Sequence, residues 1–210
     1  MTAQDRFAFV IAGKPVAPPL TLSWRAHVDA DAVVDGHGKG LQFAEIVNPF
    51  GLAIERRLDL SPLLARDPAA AGIVIDGLTE EVRIAIQRAI ESGAAGVLYR
   101  LHGATARHCT PMEYGGYFLE RDRELLGALK NSAITVLFVV ASEEPYLDLL
   151  GDLPSDVFGW DAACGATVSD VRAIRKGALL AEIPDADVLL QAPAGLSQLL
   201  EDPKNAYVSI

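Results

Sequence analysis

Six short apolar runs in this chain each end on residues able to carry acid–base, anion-binding or stacking chemistry. Trp24, Arg25 and His27 follow "PLTLS", and Asn48 follows "AEIV". Arg100 and His102 follow "AGVLY", and Glu143 and Glu144 close "FVVAS". Trp160 and Asp161 end "SDVFGW", and Glu182 lies near the end of "ALLAE". An imidazole and a carboxyl group are the commonest proton-transfer side chains, so His102 and Asp161 are the candidate catalytic residues. Arg25 and Arg100 offer planar guanidinium forks that match a carboxylate or phosphate, and Trp24 and Trp160 could wall a flat ligand. Asn48 and Glu182 complete the candidate substrate-binding set as polar contacts.

The same residues have plainer uses. Arg100 could pair with Glu143, Asp161 could cap a turn, and the two tryptophans could finish a core. His102, His108 and Cys109 share the loop "RLHGATARHCT", yet a metal site needs a third or fourth ligand in fixed geometry, and no metal is expected. Cys164 precedes Gly165 in a loop-like stretch, and "GHGKG" from Gly36 to Gly40 lacks phosphate-loop spacing and reads as a turn.

To converge, these residues need strands of one sheet, and the intervening sequence supplies helices. In "TAQDRFAFVIAGK" Thr2 can cap a helix whose Phe7, Val10 and Ile11 share a face, with Gly13 as a left-handed stop. "PLTLSW" and "AEIVNPFG" are β-prone runs ended by turn residues. From Thr79, "TEEVRIAIQRAIESG" places Val82, Ile86, Ala89 and Ile90 at helical spacing before Gly93, and "AAGVLYR" then reads as a strand. Thr110, Pro111 and Glu113 predict a capped helix through "TPMEYGGYFLERDRELLGALK", followed by the buried strand "ITVLFVVA". "SEEPYLDLLGDL" precedes "SDVFGW", and "TVSDVRAIRKG" precedes "ALLAEI". This alternation implies a parallel sheet covered by helices, as a (β/α) barrel or an open doubly wound sheet. No Gly-rich dinucleotide fingerprint follows the first strand, which favours the TIM-type barrel.

A chain of 210 residues, half of them hydrophobic, suits one domain spanning 1–210. The formal charge of −10 opposes nucleic acid and anionic lipid as partners, and no run approaches the ~20 apolar residues of a membrane span. Two cysteines without a C-x-x-C pair point to a reducing cytoplasm, and the charged start "MTAQDR" does not read as a signal peptide. No cofactor is expected.

Three stretches carry a family resemblance: "QDRFAFVIAGKPVAPPLTLSW", "IESGAAGVLYRLHGATARHCTPMEYGGYFLERDRELLGALK" and "PSDVFGWDAACGATVSDVRAIRKGALLAEI". In this order the sequence resembles the uroporphyrinogen decarboxylase-like superfamily, which includes cobalamin-independent methyltransferase-type barrels, from about Gln4 to Asp202. The resemblance implies a TIM-type barrel with a site at the C-terminal rim. It also implies departures. The family's paired-arginine loop is matched only by Arg25, and Asn48 stands where the decarboxylases carry a catalytic aspartate. Phe138, Val139 and Val140 stand where the methyltransferases carry a His-x-Cys zinc pair.

Only about 30 residues separate Asn48 from Thr79, whereas a full barrel takes ~250 residues in all. Six strands are read, with "GIVID" a candidate seventh, so the barrel is expected to be reduced, incomplete or completed by a partner. The implied function is binding or transformation of a small anionic molecule at the rim. The alternative is a degenerate, non-catalytic relative that keeps the scaffold for assembly, and whether the chain is an enzyme stays open. Leu58, Leu60, Leu63 and Leu64 have no evident internal partner, which leads to the expectation of a homodimer using the segment from Phe50 to Ile75.

Overall fold

The computed structural model describes residues 3–14, 21–23, 31–34, 40–141, 143–183 and 186–190. Its centre is a five-stranded parallel sheet in chain order: β3 (Gly40–Val47), β4 (Gly96–Leu101), β5 (Ile134–Val139), β6 (Val157–Trp160) and β7 (Ala178–Ile183). "GVLYRL" and "ITVLFV" show almost no polar alternation because β4 and β5 are covered on both faces. Three shorter strands complete the pairing: β1 (Thr21–Ser23), β2 (Asp31–Val34) and β8 (Ala186–Leu190). β2 lies antiparallel between β1 and β3, and β8 lies antiparallel to β7 and to β1. The expected parallel order therefore holds for β3 to β7, whereas β2 and β8 run the other way.

The helices are α1 (Ala3–Ile11), α2 (Pro49–Glu55), α3 (Leu60–Arg66), α4 (Pro68–Glu91), α5 (Pro111–Tyr114), α6 (Glu120–Leu129), α7 (Leu147–Leu150) and α8 (Val168–Ile174). A five-residue π-helical turn, Gly115–Leu119, joins α5 to α6. One face of the sheet packs Val97, Tyr99, Leu137, Val139 and Phe158 against Ile75, Val82, Phe118 and Leu126 of the helical layer. On the other, inner face, Phe43, Leu98, Val136, Phe138 and Leu180 meet Phe7 and Val10 of α1. Phe43 is paired with the first residue of β4, and its ring lies 5.6 Å from that of Phe7. Thus α1 covers the N-terminal end of the inner face and leaves the strand ends for other residues.

Local chemistry explains most boundaries. Thr110 and Glu113, and likewise Thr167 and Asp170, form reciprocal capping boxes, and Gly13, Gly93 and Gly177 adopt positive φ where their helices stop or turn. The segment 49–78 differs from its sequence reading. "GIVID" is helix rather than a seventh strand, because Asp67 caps α4 through Ala70 N and Pro68 opens it. The helix expected from Thr79 begins at Pro68, so Thr79 lies inside α4 and donates its hydroxyl to Ile75 O at 2.8 Å. Leu60, Leu64 and Ile75 are buried in this chain's own core, which answers the question of what covers them, while Leu58 and Ile73 remain exposed. Among the described residues no helix is long and apolar enough to cross a membrane.

Candidate functional site

The pleat of β4 sends Arg100 to the inner face, in the same row as Val47, Phe138, Gly159 and Leu180. There it forms an ion pair with Glu45 of β3, not with Glu143. Arg100 and Glu45 are 27% and 33% exposed, so solvent reaches the pair at the C-terminal end of the strands. The planar guanidinium is the group with which arginine engages carboxylates and phosphates.

His102 follows two residues later, just past the end of β4, and is tied down by its backbone. Asn48 Oδ1 accepts from His102 N at 3.0 Å and from Gly51 N at 2.9 Å, while Asn48 Nδ2 donates to His102 O at 3.2 Å. Asn48 is thus both the N-cap of α2 and a side-chain strand partner for His102. The imidazole lies against the start of α2, where a Cβ on Gly51 would stand 3.0 Å from His102 Cδ2 and closer still to Val47. Gly103, at φ +93°, lets the chain turn under the Phe50 ring. Burial, reinforced by Arg100 and His108 and opposed by Glu45, lowers His102 to about 4, so the ring is neutral at pH 7.

The other expected site residues are distributed around this pair. Asn48 is fully buried, and its amide is engaged on both sides. Trp160 faces the helical core, with its indole N–H donating to Ala166 O at 2.9 Å. Asp161 follows β6 and accepts from Ala163 N at 3.0 Å, the turn-capping use of an aspartate. Glu182 is in β7, opposite Asp187, and its side chain lies outside the described part. Trp24, Arg25, His27 and residues 36–39 of "GHGKG" also lie outside the described residues.

The loop after β4 is stapled to the loop after β5. Glu143 Oε1 accepts from Thr105 Oγ1 and Arg107 N, both at 3.0 Å, and Tyr146 Oη donates to Cys109 O at 2.6 Å. Burial pushes the Cys109 thiol up to about 12, and its Sγ lies 3.3 Å from Gly103 O, so it is a packed thiol rather than a nucleophile. Among the described residues no three His, Cys, Asp or Glu side chains converge as a metal would require. Beside these loops an open cleft of about 1060 Å³ is lined by Glu144, Tyr146, Asp148, Cys164 and Ile174, among others.

Four polar residues escaped the sequence reading. Glu45 is a carboxylate in the inner-face row between Phe43 and Val47, a position that alternation marks as noteworthy. Asp122 falls at helical spacing with Leu119, Leu126 and Leu129, on the apolar side of α6. It is fully buried and bonded to Tyr99 and Tyr114.

No family model matches the sequence, and no curated protein matches it. Among solved structures, a methyltransferase from Methanosarcina mazei is similar, with a TM-score of 0.54 and 14% identity over 62% of this chain. The matched part spans 38% of that protein's chain. Likeness at that identity relates the two folds only, as α/β structures with a parallel sheet and surrounding helices.

Proposed function

We propose that this chain is a shortened relative of the uroporphyrinogen decarboxylase-like barrels that binds a small anionic molecule at the C-terminal ends of its parallel strands. The observation that carries the reading is Arg100, a half-buried guanidinium at a strand end beside a neutral imidazole. Ligands of parallel α/β sheets gather at this end, where loops from separate strands meet. In the proposed complex Arg100 takes a carboxylate or phosphate oxygen pair, Glu45 holds the guanidinium, and His102 donates or accepts one hydrogen bond. Trp24, Arg25 and Glu182 belong to the proposed binding set, with Asp161 as the second acid–base group, while the buried Asn48 and Trp160 support the rim from within the fold. The proposal extends to a reduced TIM-type barrel of one domain over 1–210 in a reducing cytoplasm, where Cys109 and Cys164 stay free. A homodimer through the exposed Leu58 and Ile73 completes it and is checked by light scattering.

A second reading, a non-catalytic scaffold, draws on Asn48. The position that would hold a catalytic carboxylate carries an amide whose hydrogen bonds are all directed into the fold. Isothermal titration with succinate, citrate and inorganic phosphate separates the two readings. Saturable binding that Arg100→Gln abolishes supports the ligand site. Absence of binding to all three, or binding indifferent to Arg100→Gln, favours the scaffold.

A further inference from the structure

Behind the strand ends lies a carboxylate with no route to solvent. Asp122 of α6 is fully buried, and its two oxygens each accept a tyrosine hydroxyl at 2.6 Å, Tyr99 Oη from β4 and Tyr114 Oη from α5. Asn48 Nδ2 lies 3.5 and 3.4 Å from the same oxygens, a long contact that acts as charge against dipole in a dry site. Asn48 therefore has a negative charge on its amide side and two backbone N–H donors on its oxygen side. Rotating the carboxamide by half a turn would point its oxygen at the carboxylate and its NH2 at Gly51 N and His102 N. Both contacts would become repulsive, so Asp122 reinforces a single orientation.

We propose that Asp122 is a positioning residue for the rim: by fixing the Asn48 carboxamide from behind, it holds the His102 backbone and imidazole against the first turn of α2. It does so from the helix side of the sheet, whereas Arg100 lies on the inner face. The groups facing Asp122 are Tyr99 from β4, Tyr114 from α5 and Asn48 ahead of α2, and those acting on His102 are Arg100, Glu45 and His108. The π-helical turn between Tyr114 and Glu120 brings Asp122 and Tyr114, eight residues apart, to a shared hydrogen bond. The role of the rim as a binding site is the reading proposed above, but the coupling is a property of the protein without ligand.

The test follows the His102 imidazole by NMR titration in the wild type, Asp122→Asn and Tyr99→Phe. Asp122→Asn keeps the shape and removes the charge that orients Asn48, whereas Tyr99→Phe removes one donor and keeps the carboxylate. The expected result is a His102 midpoint raised by about one pH unit in Asp122→Asn, as the loosened loop admits water, and nearly unchanged in Tyr99→Phe. An unmoved midpoint in Asp122→Asn, or an equal rise in both variants, overturns the proposal. If Asp122→Asn does not fold, amide exchange in the wild-type protein decides. Protection of the Gly51 and His102 amides is expected to fall about tenfold between about pH 7 and pH 5 relative to β5 amides, and level protection overturns the proposal. Neither readout uses an anion, so a failure here leaves binding at Arg100 standing, and a failure to bind anions leaves the coupling standing.

Discussion

Tyr99 and Arg100 are neighbours in β4, yet the polar clusters they anchor differ in every physical respect. Tyr99 points to the helix side and joins Tyr114 and Asn48 around Asp122, with every member buried. Arg100 points to the inner face and pairs with Glu45 where water still reaches. In the first cluster each lost partner strands a group that cannot be rehydrated, so its energetic role is structural. In the second, solvent replaces whatever is lost, which makes the pair a weak stabiliser. One residue of sequence thus separates a buried charge from a solvated one.

The largest effect that would break this contrast is removal of the buried carboxylate. Asp122→Ala leaves two hydroxyls and an amide facing an apolar void and is expected to cost about 4 kcal/mol in denaturant unfolding. A loss no larger than that of an exposed pair would erase the distinction. Next comes Asn48→Asp, which sets a second carboxylate beside Asp122. The two would share a proton, so the variant is expected to lose about 3 kcal/mol at neutral pH and to recover on acidification. Melting temperatures that fall in parallel with the wild type on acidification would contradict this.

The titration of the two clusters sharpens the comparison because their signs oppose. Burial, partly offset by its donors, raises Asp122 from 3.8 to about 6, so the unfolded chain sheds this proton first. Its contribution is therefore full below pH 3.8 and lost as pH climbs to about 6. His102 is lowered from 6.5 to about 4, so the unfolded chain holds a proton the folded site refuses, and stability is gained as pH rises between those values. In the wild type the two largely cancel. Relative to it, Asp122→Asn should gain about 2 kcal/mol between pH 4 and pH 6.5, the one-unit rise expected at His102 offsetting part of the change, and His102→Gln should lose about 3 kcal/mol. Matching pH profiles for the three proteins would refute both shifts. The smallest effect is on the inner face, where Arg100→Gln is expected to change stability by less than about 1 kcal/mol while abolishing anion binding.

Much of the sheet and its capped helices is legible because local chemistry fixes it. Thr110, Pro111 and Glu113 announce α5, and Thr167 with Asp170 announces α8, since each capping box satisfies backbone donors wherever it occurs. "NPFG" and "GIVID" mislead for a related reason. Asn–Pro signals both a turn and a capped helix start, and β-branched residues favour strands until Asp67 and Pro68 impose a helix. The antiparallel pairing of β2 and β8 depends on partners remote in sequence. The Asp122 network needs four segments brought together by the fold, and only its place on an apolar helix face hints at it.

The proposed anion site at the strand ends is tested most directly by 15N NMR of the labelled protein titrated with citrate. Saturable shifts are expected at the Arg100 Nε–H and the His102 ring, with the His102 titration midpoint rising from about 4 as a bound anion favours imidazolium. Shifts confined to the outer cleft around Glu144 and Asp148, or no shift at Arg100, would contradict it.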